Sequence, residues 1–465
     1  MTSIQQLVAA TPATRVRYID LLRAIAITAV VVGHWLVIAV DYDADGRLTG
    51  FSALGELTWS HPVTWLFQVM PIFFMVGGYA NAASLESYLR RGGDAAGWLL
   101  GRSTRLIRPT TALLVLLAVG ALVARLLGAD PDQIAMAAWL ASLPLWFLVA
   151  YLGIIALTPV MYRLHRRAGL AVPLLLLIPV LAGDVLRLHH GNEAWAYGNF
   201  AFAWLAIHQI GFCWRDGNLP TRPRFALSLT GLGLAGLVLV TYAGPYPVSM
   251  VTVPGQAMQN SSPPSMALVL LAAAQLGLAL LLRQPGERWL RRHRPWSAVV
   301  AINAVILTVF LWHMTAAVLA ALGLHAVGLL ATPAVDSAAW LLWQLPWLAV
   351  LAVTLAVLVA GFGRIEARAA RASSTVAGRR LPAGTARSLT AGAVSPVLLA
   401  TTGGYAATVG GLLWQAAAGN GDHGPFALPT GALLLYLGGA ALLWLARAAH
   451  QPAEPPSRRS GAAES

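Results

Sequence analysis

The sequence predicts an all-α polytopic membrane protein with about twelve transmembrane helices and both termini in the cytoplasm. Of its 465 residues, 58% are hydrophobic and only 11% are charged, whereas a soluble domain carries about 25% charged residues. Apolar runs long enough to cross a bilayer recur along the chain. The arginines lie in short blocks between alternate runs, and lysine is absent, so the positive-inside rule gives one consistent orientation.

Twelve apolar runs are the predicted spans, because each approaches the roughly 20 residues that a bilayer requires. They lie at 18–40, 62–85, 109–128, 136–160, 170–187, 198–213, 225–243, 265–282, 297–322, 339–361, 389–416 and 429–447. With the N-terminus inside, 27 of the 31 arginines fall in cytoplasmic segments. We therefore expect a multi-pass protein of the plasma (inner) membrane, with the lipid bilayer as its first partner.

Charge and cysteine content exclude two further classes of function. The formal net charge is +13, but the basic residues form no continuous patch, so no nucleic-acid partner is expected. Cys213 is the single cysteine, which excludes an internal disulfide and a thiolate metal cluster. No metal site is predicted.

Two of the predicted outer loops differ in composition from the inner ones. Residues 41–61 are acidic, and residues 244–264 are rich in proline, glycine and serine. A Pro- and Gly-rich segment cannot face lipid, so the second loop is interpreted as a lid over an outward opening. Asp41 and Asp43 have the chemistry to bind a sugar, although solvated loop charge is the favoured explanation.

The first span carries three ionisable residues in a regular arrangement. Arg23 and His34 are eleven residues apart, so at about 100° per residue they share one helix face. His34 then lies roughly 16 Å above Arg23, near or just beyond the middle of the bilayer. Asp20 precedes Arg23 by three residues, which suits an ion pair. Either these groups mark a functional path, or they are an ion pair at a helix end and a hydrogen-bonded core histidine.

The same stretch resembles a known family. The segment DLLRAIAITAVVVGHWL is similar to the first helix of the acyltransferase-3 family of bacterial membrane acyltransferases, whose hallmark is Arg, ten residues, His. Five further stretches resemble the family in the same order: PIFFMVGGYANAASLE, RSTRLIRPT, PLWFLVAYL, FAWLAIHQIGFCWRDG and FLWHMTA. The resemblance covers roughly residues 15–362 and implies a core of ten helices.

The resemblance leaves two residue assignments open. The family's serine in the second helix is replaced by Gly77, so a role for that serine does not carry over. The basic stretch fits the family's Arg-x-x-Arg pattern either as Arg102 and Arg105 or as Arg105 and Arg108. Around the core we expect a cytoplasmic segment at 1–14, a basic linker at 363–388, two additional spans at 389–447 and a disordered tail at 448–465.

The resemblance implies transfer of an acyl group from cytoplasmic acyl-CoA to a hydroxyl of a carbohydrate, a glycolipid or a similar cell-envelope acceptor. Acyl-CoA, with acetyl-CoA as the expected donor, is a substrate, and no cofactor is expected to stay bound. Arg102, Arg105 and Arg108 form a dense cluster whose planar guanidinium groups suit phosphate binding. Positive-inside topology is the alternative explanation of these arginines.

His34 is the strongest catalytic candidate. Its imidazole can accept the proton of an acceptor hydroxyl or carry the acyl group as an acyl-imidazole. Arg23 can bind the pantetheine or phosphate end of the donor, or stabilise developing negative charge, and Asp20 would orient Arg23.

A second polar point lies on the predicted ninth span. Trp312 and His313 are adjacent there, and Asn303 lies ten residues earlier, on a face that agrees within roughly 80°. These three are candidate substrate-binding residues. Helix packing through hydrogen bonds in the membrane is the alternative explanation, and it also applies to Asp184, His208 and Gln209.

The competing interpretation is a twelve-span transporter of a small solute. The lack of an internal repeat and the few charges within the spans argue against it. A non-catalytic scaffold would not need Arg23 and His34 on one face. After residue 362 only two more spans and a short tail follow, so the protein either acylates its acceptor directly or works with a separate extracytoplasmic transferase.

Overall fold

The computed structural model describes residues 4–12, 15–220, 222–378, 396–421 and 423–450. Within these ranges the chain forms a bundle of sixteen α-helices. They are α1 (Ile4–Ala9), α2 (Arg17–Val37), α3 (Thr64–Phe67), α4 (Met70–Arg90), α5 (Ala95–Leu126), α6 (Pro131–Ser142), α7 (Leu145–Ala168), α8 (Ala171–His190), α9 (Asn199–Arg215), α10 (Pro223–Val238), α11 (Met266–Trp289), α12 (His293–Ala304), α13 (Ile306–Ala326), α14 (Ala338–Gly378), α15 (Pro396–Ala417) and α16 (Thr430–His450).

Eleven helical segments among the described residues are long and apolar enough to cross a membrane. They account for eleven of the twelve predicted spans. The remaining run, 198–213, corresponds to α9, which has 17 residues and buries most of its side chains inside the bundle. The predicted multi-pass helical fold is confirmed, whereas the total of twelve spans and the side of the termini stay predictions.

Three predicted spans are broken helices. The run at 62–85 divides at Gln68 and Val69 into α3 and α4. The run at 136–160 divides at Pro144 into α6 and α7, where proline removes a backbone donor. The run at 297–322 divides at Val305, whose φ of −127° and ψ of 16° are not helical, into α12 and α13. The helical hydropathy pattern, with its period of 3.6 residues, continues through these breaks. Hydropathy therefore does not indicate where one helix ends and the next begins.

Other helix ends also differ from the predictions. Helix α5 starts at Ala95, well before the predicted start at 109, so the arginine stretch is helical and does not lie in a loop. Helix α14 continues to Gly378 and includes the first part of the predicted basic linker. Residues 379–388 of that linker, the start of the next predicted span at 389–395 and the tail at 451–465 lie outside the described residues.

The fold is not purely α-helical, because a small hairpin follows α2. Strands β1 (Ile38–Tyr42) and β2 (Leu48–Ser52) pair antiparallel, with Ile38 opposite Ser52. In the turn, the Asp43 carboxylate accepts from the backbone N–H groups of Asp45 and Arg47. Arg47 also forms an ion pair with Asp130, before α6, at 3.3 Å. We call this side of the bundle the hairpin end, and the side where α2 begins the arginine-rich end.

The predicted lid at 244–264 is fastened at the hairpin end by a buried ion pair. Asp184 and Arg187 are both almost fully buried, and Arg187 Nη2 lies 3.0 Å from Asp184 Oδ1. Asp184 Oδ2 accepts from the Tyr246 hydroxyl at 2.9 Å and from the Met266 backbone N–H at 2.6 Å. These bonds tie both ends of the loop to α8, and burial with a carboxylate neighbour raises the pKa of the Tyr246 phenol above its ordinary value.

We expect an Asp184→Ala variant to lose about 3–5 kcal/mol of stability, because the Tyr246 hydroxyl and the Met266 N–H lose their acceptor. The buried Arg187 would also keep only Glu193, at 3.0 Å, as its ionic partner. The apparent midpoint of thermal unfolding in detergent measures the effect. Asp132→Ala, which removes a surface carboxylate whose side chain is 75% exposed, is the matched control, with a change within about 0.5 kcal/mol. Equal midpoints for the two variants would contradict the assigned role.

The last two helices form a hairpin that packs against α5 and α7. Gly404 and Gly411 on α15 and Gly439 on α16 allow the two backbones to approach closely, since an added Cβ would overlap the facing helix. Three side chains of this C-terminal hairpin then donate to α5: Tyr405 to the Leu99 carbonyl at 2.9 Å, Tyr436 to the Ile107 carbonyl at 3.1 Å, and Arg447 to the Thr104 hydroxyl at 2.6 Å. The C-terminal hairpin therefore holds α5, the helix that carries the arginine stretch, in position.

Candidate active site

Two histidines from distant parts of the chain meet inside the bundle. His34 lies in the last turn of α2, and His313 lies on α13. Nδ1 of His34 is 2.7 Å from Nε2 of His313, and the two rings stack with centroids 5.0 Å apart. The indole Nε1 of Trp35 donates to the His313 carbonyl at 3.0 Å. These contacts lock α2 and α13 together at the histidine pair.

The surroundings of His313 fix where the protons of a neutral pair lie. Its Nδ1 is 2.6 Å from the Phe310 carbonyl oxygen, and a carbonyl only accepts, so Nδ1 carries the proton. Nε2 of His313 is then the acceptor, and Nδ1–H of His34 donates to it. The second nitrogen of His34, Nε2, keeps its lone pair free. His34 is partly exposed while His313 is fully buried, so the free lone pair belongs to the more accessible residue of the pair.

The sequence identified both histidines but not their contact. They are 279 residues apart, and no local periodicity predicts which spans are neighbours. His34 lies in the last turn of α2, toward the hairpin end, and its predicted depth near or just beyond the middle of the bilayer stays a prediction. The common face proposed for Asn303 and His313 is wrong, because the break at Val305 separates them onto two helices.

Asn303 belongs to the start of α2 instead. Its Nδ2 donates to the Asp20 carbonyl at 3.0 Å and to the Val299 carbonyl at 2.9 Å. It thus fixes α12 to the arginine-rich end of α2, away from the paired imidazoles of His34 and His313. This geometry is that of a helix-packing contact, and the substrate-binding role of Asn303 stays a prediction.

Glu366 is a site residue that the sequence reasoning missed. It lies on α14, is 2% exposed, and points at the first turn of α13. Its Oε1 accepts from the Leu307 N–H at 3.1 Å, and its Oε2 accepts from the Thr308 N–H at 2.8 Å and hydroxyl at 2.7 Å. A carboxylate at a helix N-terminus offsets the unpaired donors and the helix dipole there. The available signal was a lone acid between arginines after an apolar run, which resembled linker charge.

Asp20 pairs more closely with Arg15, which precedes α2, than with Arg23. Arg15 reaches both carboxylate oxygens of Asp20, with Nε at 2.6 Å and Nη2 at 2.8 Å. Arg23 Nη1 lies 3.9 Å from Asp20, so the expected pair exists but is the weaker one. The hydrogen bond to Asp20 raises the pKa of the Arg15 guanidinium above its ordinary value. Arg23 is therefore only loosely oriented by Asp20.

The arginines of α5 separate into two classes. Arg102 and Arg105 are partly buried, whereas Arg108 is exposed. Arg102 donates to the Ser84 hydroxyl at 2.6 Å, and its guanidinium lies 5.5 Å from the Trp98 ring centroid. The sequence left open whether the Arg-x-x-Arg pair is Arg102 and Arg105 or Arg105 and Arg108. The pair whose side chains lie within the bundle is Arg102 and Arg105.

Arg23 belongs to the same group of cations. Arg102 is repelled by both Arg105 and Arg23, and Arg105 is repelled by Arg23. Glu366 is the acid that attracts Arg105. Arg447, from the C-terminal hairpin, lies near Arg108. Within the described residues, Arg23, Arg102 and Arg105 repel one another, and Asp20 and Glu366 are the acids beside them. A polyanion would stabilise this group.

Two predicted features have a packing explanation in the structure. The Trp312 ring stacks on Phe362 of α14, with centroids 4.1 Å apart and planes inclined by 4°. The indole therefore packs between α13 and α14. At Gly77, an added Cβ would lie 3.1 Å from the ring of Tyr151. The missing serine side chain therefore makes room for an aromatic residue that faces the arginine group. Among the described residues, no group of three or more metal-ligating side chains occurs.

Comparison with known proteins supports the resemblance seen in the sequence. A family model described as an acyltransferase domain matches residues 16–363. The chain belongs to the acyltransferase-3 family. Its histidine pair and the arginines of α2 and α5 lie within the matched residues, while Glu366 and the C-terminal hairpin follow them. No curated protein and no solved structure gives a match. The chain is therefore a multi-pass membrane acyltransferase, which favours the enzyme over the transporter alternative.

Proposed function

We propose that this acyltransferase moves an acyl group from cytoplasmic acyl-CoA, with acetyl-CoA as the donor, to a hydroxyl of a carbohydrate or glycolipid of the cell envelope. The His34–His313 pair is the observation that carries the proposal. It leaves the free lone pair of an imidazole at the end of α2, in a bundle whose family performs acyl transfer. We place the arginine-rich end at the cytoplasmic face, following the positive-inside rule.

His34 acts as the general base in this proposal. Its Nε2 accepts the proton of the acceptor hydroxyl while the oxygen attacks the thioester carbonyl carbon. The carbon–oxygen bond forms, the carbon–sulfur bond breaks, and the thiolate leaves as free CoA after it takes up the proton. The imidazolium that forms on His34 is stabilised by its Nδ1–H bond to His313. An acyl-imidazole on Nε2 is the second candidate for the same atom.

The arginines supply the donor site. Arg23, Arg102 and Arg105 offer guanidinium groups to the phosphates of CoA, and no cofactor needs to stay bound. Arg23 and His34 are about 16 Å apart along α2, a distance that an extended pantetheine arm spans. The thioester thus arrives at His34 from the cytoplasmic side, and the acceptor arrives from the opposite side. A separate extracytoplasmic transferase is a further partner that would receive the acyl group if no acceptor reacts directly.

The test uses the full chain in nanodiscs with acetyl-labelled acetyl-CoA and an envelope glycan fraction. Wild type is expected to release CoA and label the glycan, and His34→Gln is expected to do neither. His189→Gln, which changes an exposed histidine at the end of α8, controls for the loss of an imidazole. Label that stays on the wild-type protein before acceptor is added identifies the acyl carrier; its absence identifies the base. CoA release by His34→Gln at the wild-type rate would overturn the proposal.

The phosphate-binding role predicts a donor-specific defect. We expect Arg105→Gln to raise KM for acetyl-CoA by about 10- to 100-fold, since a charge-assisted hydrogen bond contributes about 1.5–3 kcal/mol. With S-acetyl-pantetheine, which lacks phosphates, the variant and wild type are expected to react equally. Arg291→Gln, at an exposed arginine between α11 and α12, is the control. A matching defect with both donors would show that Arg105 holds the helix and does not bind phosphate.

A further inference from the structure

A cavity of about 230 Å³ opens at the hairpin end. It lies between β1, the segment at 330–335 and the start of α14. Three of its wall residues are tryptophans on one face of α14, spaced i, i+3 and i+7: Trp340, Trp343 and Trp347. Trp340 and Trp347 are 7% and 4% exposed, whereas Trp343 is partly exposed, so Trp343 is the indole on which a sugar ring or a cation can stack.

Gln344 gives this wall an unused hydrogen-bonding group. It is 8% exposed and lines the cavity. Its Oε1 has no hydrogen-bond partner among the described residues. A buried acceptor without a donor is destabilising, so the position favours a ligand that brings an O–H or N–H group. This is an observation independent of the tryptophans.

The cavity has acidic groups and no basic ones. Asp41 and Glu56 contribute to its lining, both exposed, and neither forms an ion pair within the described part of the chain. No arginine or histidine is among the lining residues. The sign of this charge is opposite to that of the arginine group at the other end of α2. An anionic ligand is therefore disfavoured here, and a cation is favoured.

The cavity wall begins close to His34 along the chain. Ile38, the first residue of β1 and part of the wall, follows His34 by four residues. The cavity therefore lies on the side of His34 away from the donor arginines, and neither histidine is among its lining residues.

We propose that this cavity is the acceptor subsite and that the acceptor is a polyhydroxylated compound carrying a protonated amine, of the amino-sugar class. The inference rests on the proposed function for the role of the bound hydroxyl, but not for the binding itself. The ammonium group lies between the Trp343 indole and the carboxylates of Asp41 and Glu56, and Gln344 accepts from a ligand hydroxyl. A protonated amine has no lone pair, so the hydroxyl is the group that is acylated.

Equilibrium dialysis of the full chain without acyl-CoA tests the binding alone. The probes are radiolabelled methyl glucoside and two derivatives that each differ from it at one position: the 2-deoxy-2-dimethylamino glycoside, changed at C2, and the glucuronide, changed at C6. We expect the amine probe to bind at least tenfold more tightly than the neutral one, with no binding of the glucuronide. The tertiary amine cannot itself be acylated to an amide, so the same probe serves for the transfer assay.

Variants connect the binding to this cavity. Asp41→Asn combined with Glu56→Gln is expected to weaken amine binding at least tenfold, and Gln344→Leu and Trp343→Phe are each expected to weaken it severalfold. Asp45→Asn, on the same β-hairpin but outside the cavity, is expected to change nothing. Equal binding of the glucuronide, amine binding that survives the double variant, or no binding of any probe would overturn the proposal. Amine binding without CoA release would support the subsite and refute the proposed function. Acyl transfer to acceptors that do not bind in this cavity would support the proposed function and refute the subsite.

Discussion

Replacing His313 with phenylalanine is expected to lower kcat by about 10²- to 10⁴-fold, the range of a general base, with little change in KM for acyl-CoA. Phenylalanine retains the shape of the ring but removes the nitrogen that accepts from His34 Nδ1. The His34 imidazole then loses the partner that fixes its tautomer and stabilises its charged form. His313→Gln supplies an amide oxygen as acceptor, so its kcat is expected to lie between wild type and His313→Phe.

Non-additivity separates this positioning role from a general loss of structure. Because the two histidines act as a unit, His34→Gln combined with His313→Phe is expected to be no slower than His34→Gln alone. Initial rates of CoA release at saturating donor give the comparison, with thermal midpoints confirming that each variant folds. Two results would exclude the positioning role of His313. One is a wild-type kcat in His313→Phe, and the other is a double variant in which the rate losses of the two single variants multiply.

The site was predictable from the sequence to the extent that its geometry is local. Arg23 and His34 share a helix face because of a spacing that any continuous helix preserves, and both were identified. The Asp20–Arg23 pair was only partly correct, because Arg15, before the helix, reaches the carboxylate more closely. Helical periodicity predicts contacts within α2, such as that of Arg23 with Asp20. It does not predict contacts from residues before the helix, such as that of Arg15 with the same carboxylate.

Non-local contacts account for what the sequence did not show. The meeting of His34 with His313 depends on which spans pack together, and hydropathy does not encode the neighbours of an apolar helix. The break at Val305 contains neither glycine nor proline, so it left no local signal, and the face shared by Asn303 and His313 was inferred across it. Only the fold places the indoles of Trp340, Trp343 and Trp347 around one cavity, because the opposite wall comes from β1, which is distant in sequence.

The break at Val305 explains why Glu366 is expected to matter as much as the histidines. A helix that starts inside a bundle leaves its first backbone N–H groups without intrahelical partners. Glu366 accepts two of them and the Thr308 hydroxyl. Helix α13 carries Phe310 and His313 within its first turns, so the anchored start also sets the height of the paired imidazole.

Glu366→Ala is therefore expected to cost about 3–5 kcal/mol, since hydrogen bonds to a charged group contribute about 1.5–3 kcal/mol each and do not add fully. We also expect kcat to fall at least 100-fold, because a displacement of about 1 Å in a catalytic group has an effect of that size. Glu366→Gln keeps one acceptor oxygen and is expected to recover part of both losses. Thermal midpoints in detergent and single-turnover CoA release measure the two effects.

Glu287→Ala is the graded control for this prediction. Glu287 caps the start of α2 through one bond, from the Tyr18 N–H at 3.0 Å, and it is partly exposed. We expect its loss to cost about 1 kcal/mol and to leave kcat within a few-fold of wild type. If Glu366→Ala lowered stability without lowering kcat below that of Glu287→Ala, the carboxylate would support the fold but not the position of His313. A loss of rate without a loss of stability would instead assign Glu366 to the electrostatics of Arg105, the cation it attracts.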